Sequence, residues 1–524
     1  MSFVETPQQP SEIGSEHFRS QVGHIGRHAG AFFAGTLFTA ALSYAFKIYL
    51  ARVLGAENLG LYALGLTIIG FFGIFNALGL GQAAVRFVPT YMAASNFQKL
   101  HALLWKAPAV LLAANVLFGA SLLLAGRWIA IRFYHAPALV QYLPLFALIM
   151  LGGVLNDFFG KVLTGYLEVR RRTLIVNFMG TPVTMLLAIA LLSMGYRLAG
   201  YLIAQIVGAA VVCLLLLRAV RQRTPAAARI SAQRGSSLGK DIWSFSGSML
   251  GIVFMEFAIS HTDKVALGYF RGAREVGIYS VAAALVAYVP VLLGSVNQVF
   301  SPTIADLHTR NQHSLLDRLF QSLTKWILAV TIPLATVLII FARPLMGLFG
   351  QDFERGWPVL VIGTFGQLVN CGVGSVGYLL LMTGNEKRLI RVQAAMAAVM
   401  ILSAIALIPW LGVVGAAIAA AVTNIGMNVL NLLQVRKGLH LSPYNRSYLR
   451  LLPPTAAGVI VTLLLKQYAV VFHHNWLAIL VAMIAVYLLF GATLLITGLN
   501  QDDRMIAQAV WSRVRKGSSA IEVF

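Results

Sequence analysis

Four small sets of side chains in this 524-residue sequence have the types and spacings for chemistry. Glu256, Ser260 and Asp263 follow one another at i, i+4 and i+7, which lays them on one helix face with His261 and Lys264 beside them. A carboxylate inside an apolar stretch can take up and release a proton or a sodium ion, which makes Glu256 and Asp263 the expected ion-coupling groups. Asp157 and Lys161 are an i, i+4 acid-base pair that either neutralises itself or contributes to a polar lining, and self-neutralisation is the plainer reading. Asn424, Asn428 and Asn431 share a helix face and suit interhelical hydrogen bonds and substrate contacts equally well. Lys47, Arg86 and Lys264 are bases within apolar stretches. A charge at bilayer depth costs at least ~2.5–3.5 kcal/mol, so each needs a partner, a wet cavity or a headgroup. Arg86 stands where it would meet either a phosphate or lipid headgroups. Asp263 and Lys264 also fit the outer headgroup level, to which long side chains snorkel.

Catalytic constellations are missing from the sequence: there is no HExxH, no Walker loop and no GxGxxG after a strand pattern. His473 and His474 lie in a short turn with no third ligand nearby, and the two cysteines, Cys213 and Cys371, sit in apolar segments. No cofactor, no metal and no enzymatic activity are expected. A membrane enzyme of glycan assembly would need a soluble domain or long loop for its sugar donor, and the longest linker, of about 25 residues, is too short.

The elements that must position these groups are membrane helices. The composition is 58% hydrophobic and 11% charged with a mean hydropathy of +0.78, far from a soluble domain at about 25% charged. A window of about 19 residues predicts fourteen helices, at 30–52, 61–88, 102–126, 139–167, 174–196, 199–219, 244–270, 277–304, 325–343, 357–382, 392–410, 413–435, 449–470 and 476–498. The expected division is a tail at 1–29, helices 1–6 at 30–219, a basic linker at 220–243, helices 7–12 at 244–435, helices 13–14 at 449–498, and a tail at 499–524. On this topology 28 of the forty Lys and Arg fall on the side of the termini, nine on the other side and three within spans. The positive-inside rule then places both termini in the cytoplasm, in a multi-pass protein. The formal net charge of +22 reads as orientation and affinity for anionic lipid, and nucleic acid is not an expected partner.

Shifting the chain by 217 residues aligns Lys47 with Lys264, Leu50 with Leu267, Gly55 and Ala56 with Gly272 and Ala273, Gly60 with Gly277, and Tyr62 with Tyr279. This is an internal repeat, which predicts two parallel six-helix lobes with a substrate path between them and two appended helices. Glycines crowd helices 2 and 10, and Pro182, Pro290 and Pro333 are expected to interrupt helices 5, 8 and 9, giving spans that pack closely and bend.

The run from Ala51 to Tyr62, followed by Gly79-Leu80-Gly81-Gln82 and Arg86, resembles the opening hairpin of the polysaccharide transporters, the O-antigen type of lipid-linked oligosaccharide flippase. Asp263-Lys264, with Gly272, Gly277, Ile278 and Tyr279, resembles the matching signature of that family's seventh and eighth helices. The resemblance implies an all-α membrane protein of the multidrug/oligosaccharidyl-lipid/polysaccharide superfamily with two lobes in a V. It also implies transport of an undecaprenyl-diphosphate-linked glycan from the inner to the outer leaflet of the bacterial cytoplasmic membrane, for O-antigen, capsule or exopolysaccharide synthesis. A cationic lumen formed by Lys47, Arg86 and Lys264 would hold the diphosphate, a proton or sodium ion would drive alternating access, and polysaccharide polymerase machinery would be a partner. A peptidoglycan-precursor flippase and a multidrug extruder of the same superfamily are the competing readings; the extruder would favour carboxylates over bases in its lumen.

Overall fold

The structure, a computed structural model, describes residues 10–230, 238–469 and 475–496. Among these residues the regular structure is helical, with no strand. Two compact units of the chain can be distinguished: residues 46–280 with 400–416, and residues 281–399 with 1–45 and 417–524. Among the described residues twelve helices are long and apolar enough to cross a membrane, thirteen when the pair Ala273–Val286 and Val291–Thr309 counts as one. The expected fourteen exceed this by one because Leu42–Asn76, counted once, holds two helices that meet at a kink.

That stretch belongs to α1, Pro10–Asn76, whose helical geometry fails only at Gly55, with φ 75° and ψ 173°. This left-handed, extended combination is open to glycine and closed to side chains, so one residue does the work expected of a loop at 53–60. The next helices of the first unit are α2 (Leu80–Ala93), α3 (Phe97–Trp128), α4 (Leu143–Gly165), α5 (Val169–Thr173), α6 (Thr181–Ser193), α7 (Arg197–Arg223), α8 (Ala226–Ile230), α9 (Lys240–Arg271) and α10 (Ala273–Val286). Asn96 caps α3 by accepting from the Lys99 amide at 3.1 Å. Helices α2, α3, α4 and α7 enclose one core around Leu80, Leu103, Phe158, Leu163 and Leu216, all fully or nearly fully buried.

Gly272, the repeat mate of Gly55, has φ 84° and ψ 178°, the same conformation, and ends α9. The two glycine breaks are packed reciprocally. A Cβ on Gly60 would lie 1.7 Å from the Ala273 carbonyl oxygen, and one on Gly277 would lie 1.9 Å from the Ala56 carbonyl oxygen. Main chain touches main chain at both mates, and glycine is the residue that permits it.

Then follow α11 (Val291–Thr309), α12 (His313–Ile340), α13 (Ala342–Gly347), α14 (Trp357–Val373), α15 (Val376–Met382), α16 (Glu386–Leu411), α17 (Val413–Leu439), α18 (Leu452–Ala469) and α19 (Asn475–Ile496), which belong to the second unit except for residues 400–416 at the end of α16 and the start of α17. Their core gathers Phe300, Leu316, Phe320, Leu379 and Val435. Pro290 precedes α11 as expected, but α12 runs unbroken through Pro333. Neighbouring helices pack along α12 on several sides, and such burial lets a membrane helix keep a proline. The predicted helix 10 is broken at Gly374 and Ser375 between α14 and α15. Exposed Leu124 on α3 and Leu488 on α19 present apolar surface of the kind lipid covers.

Candidate functional site

The Gly79-Leu80-Gly81-Gln82 run opens α2. Gly79 has φ 66°, which lets the chain leave α1 and start α2, and its backbone lies against Ser246 of α9. Gly81 makes room for the acid-base pair: a Cβ there would stand 2.8 Å from Asp157 Oδ2 and 2.9 Å from Lys161 Cδ. Lys161 Nζ donates to Asp157 Oδ2 at 2.8 Å, so the pair expected from its spacing is formed on α4 and half-buried behind α2. Five residues beyond Gly81, the exposed Arg86 rests its guanidinium over the Phe245 ring of α9, 4.8 Å from the ring centroid. Cation and ring attract through the ring's quadrupole.

Asp263 is 7% exposed on α9, accepting from the Tyr279 hydroxyl at 2.6 Å and from the Lys264 amide at 2.8 Å. Glu256 and Ser260, on the same nominal face, are exposed. The predicted polar stripe is therefore split by environment: Asp263 meets Tyr279 of α10, while Glu256 and Ser260 stay exposed. Lys264 is half-buried and Lys47 exposed. Each stands eight residues before its glycine break, ~12 Å along the helix at 1.5 Å per residue. Arg86 is elsewhere. Its partner Phe245 precedes Lys264 by nineteen residues on the continuous α9, or ~28 Å. Arg86 and Lys264 therefore meet α9 too far apart for one diphosphate to bridge.

The asparagines of α17 are brought together in the second unit. Asn428 donates to the Asn424 carbonyl at 2.9 Å and to its Oδ1 at 3.1 Å, bonds within α17 rather than the interhelical ones the sequence suggested. Beyond that pair, Asn424, Asn428 and Asn431 line a cavity of about 280 Å³ with Asn297 of α11, Asn370 of α14 and Gln393 of α16. The break at Gly374 and Ser375 forms one wall. Asn297 accepts from the Ser375 hydroxyl, and Asn370 donates to Gln367 at 2.9 Å. Asn297, Asn370 and Gln393 carry no periodic signal in the sequence; what marks them is only that each is a carboxamide within an apolar span. Tyr279 was visible as a repeat mate, but not as the donor to Asp263.

Among the described residues no three His, Cys, Asp or Glu side chains come together as a metal site requires. His473 and His474 lie outside the described residues. The arrangement offers bases at two positions along α9, one buried carboxylate held by a phenol, and one neutral, amide-lined cavity.

Comparison with known proteins gives the chain its relatives. The family described as polysaccharide biosynthesis protein matches residues 25–308. A search of curated proteins gave no match. Among solved structures, the chain is similar to the lipid II flippase MurJ in an inward closed conformation, with a TM-score of 0.69 and 14% identity over 88% of this chain and 98% of that one. It is similar to an inward-facing multidrug resistance MATE family transporter of the MOP superfamily, with a TM-score of 0.60 and 17% identity over 76% and 94%. The Vibrio cholerae MATE transporter VcmN in its bent form gives 0.51 and 17% identity over 82% and 98%. At these identities the likeness establishes a shared fold.

Proposed function

The chain belongs to the polysaccharide biosynthesis protein family and has the fold of MOP-superfamily transporters, and from that premise we propose that it is a flippase for polyprenyl-diphosphate-linked glycans. In this reading it moves repeat units for O-antigen, capsule or exopolysaccharide from the inner to the outer leaflet of the bacterial cytoplasmic membrane. The observation that carries it is the presence of bases at two separate positions along α9 in a membrane fold, Arg86 against α9 near its start and Lys264 near its end. A diphosphate crosses hydrocarbon at prohibitive cost, and fixed cations replace its water at successive stations while the prenyl chain stays in lipid. Lys47, at the position matching Lys264, provides a second base at that station. Ion coupling falls to Glu256, an exposed carboxylate in the middle of α9; Asp263, tied to Tyr279, serves to hold α9 to α10 or to couple in concert with it. Asp157 and Lys161, already paired, neutralise one another. Both termini are cytoplasmic, and polysaccharide polymerase machinery receives the product.

A second reading, a peptidoglycan-precursor flippase, has the MurJ likeness in its favour. Its cargo is chemically alike, so the same bases would serve. The multidrug extruder has the MATE likeness, but a cation cargo leaves Arg86 and Lys264 without a role. Complementation decides: expression in strains each lacking one glycan flippase should restore surface polysaccharide in a polysaccharide-flippase mutant. Rescue only of a strain lacking its peptidoglycan-precursor flippase would select the second reading, and rescue of neither would refute both.

A further inference from the structure

We infer that the carboxamide-lined cavity of the second unit is a subsite for neutral sugar residues of the cargo. The inference rests on the glycan-carrier reading above and adds to it a second, uncharged point of recognition. Five helices and one helix break supply the cavity, and its lining, drawn wholly from described residues, carries no charged side chain. Six carboxamides meet there, together with the Ser375 and Tyr378 hydroxyls. A carboxamide presents two donors and an acceptor oxygen with two lone pairs. The three hydrogen-bonded contacts among lining residues and Gln367 therefore use only a fraction of the available groups. Hydroxyl-rich, uncharged sugars match such a surface, whereas a phosphate or a drug cation would find no counter-charge.

Two further observations separate a binding site from mere helix packing. Asn431 is 4% exposed, and its Oδ1 has no hydrogen-bond partner, an orphan acceptor that packing alone would have no reason to keep in an apolar span. The cavity also sits at a discontinuity. Gly374 has φ 75° and ψ −147°, a Cβ there would strike Thr324 Oγ1 at 2.3 Å, and the helix stops and restarts at the cavity wall. Interrupted helices are where membrane transporters build polar sites, because the irregular backbone is tolerated only against a cavity or protein. The volume, about 280 Å³, is close to the ~300 Å³ lower end of small-ligand pockets, the scale of one or two sugar rings rather than a whole oligosaccharide. Half-buried Tyr378 adds an aromatic side chain for the apolar face of a pyranose.

The test compares two lipids on the purified full-length protein in nanodiscs by native mass spectrometry: bare undecaprenyl diphosphate, and the same lipid bearing a neutral trisaccharide. The wild-type protein is expected to bind the glycan-bearing lipid at least tenfold more tightly. Asn424→Leu and Gln393→Leu, both at half-buried positions, should bring that ratio near one while leaving affinity for the bare lipid and the melting temperature unchanged; Asn424→Gln should recover part of it. Equal wild-type affinity for the two lipids overturns the subsite and leaves the carrier reading standing. So does an equal weakening of both lipids in the leucine variants, which would mean a structural role. Binding of neither lipid above a phosphatidylglycerol control refutes the carrier reading and the subsite together.

Discussion

Replacing Gly60 or Gly277 by alanine should open the reciprocal contact between the two glycine breaks. The Gly60 Cβ would lie 1.7 Å from a backbone oxygen, and contacts below 3.0 Å are not tolerated, so the segments must part by about 1.3 Å or more. The obstacle is main chain, which cannot rotate aside. A gap of 0.5–1 Å already forfeits a quarter to a half of each dispersion contact, so this one loses more than half across the interface. We expect a cost of about 3 kcal/mol, the upper part of the range for overpacking, or roughly a hundredfold in the folded population. Because either alanine forces the same separation, Gly60→Ala/Gly277→Ala should cost well under the sum of the single variants. Gly73→Ala is the control, since no atom lies within 4 Å of its Cβ position, and it should be neutral or stabilising. Thermal unfolding in detergent and the level of membrane-inserted protein measure all four. Wild-type stability in Gly60→Ala, or strictly additive losses, would refute the reciprocal contact.

Arg86→Ala and Lys264→Ala should each lower export of lipid-linked glycan about tenfold or more, from loss of a charge-assisted hydrogen bond, with protein level unchanged; full export by both removes their assigned role. Glu256→Gln should flatten the dependence of export on external pH, and an unchanged pH profile would move coupling to another group. Tyr279→Phe deprives Asp263 of its 2.6 Å donor and should cost about 1.5–3 kcal/mol in thermal unfolding, whereas an unchanged melting temperature would mean the bond carries no net stability.

The helical membrane fold was legible because apolar composition and span length leave a bilayer protein few alternatives. The repeat was legible too, since Gly55 and Gly272 recur with their neighbours and then prove to share one backbone conformation. What hydropathy could not show is where a span breaks. Gly55 replaces a loop with a single residue, and Gly374 interrupts a run that is predominantly apolar on both sides. At the candidate sites, i, i+4 spacing found the Asp157–Lys161 pair, because both partners ride one helix, and placed Asn424 and Asn428 on one face without showing that they bond to each other. Partners on different helices, such as Phe245 for Arg86 or Asn297 and Gln393 beside Asn428, depend on packing that one sequence does not display.

The stacking of Arg86 on Phe245 bears on which base this position can accept. A guanidinium held by a ring's quadrupole still has N–H donors to offer, so in the proposed function the aromatic shelf and an incoming phosphate do not compete for the same atoms. Much of the ~2 kcal/mol of rotamer entropy that a long basic side chain would surrender on gripping an anion is already spent in the resting protein. Lysine, a spherical charge on a flexible stem, could keep the sign but would lose the shelf, and with it the aim.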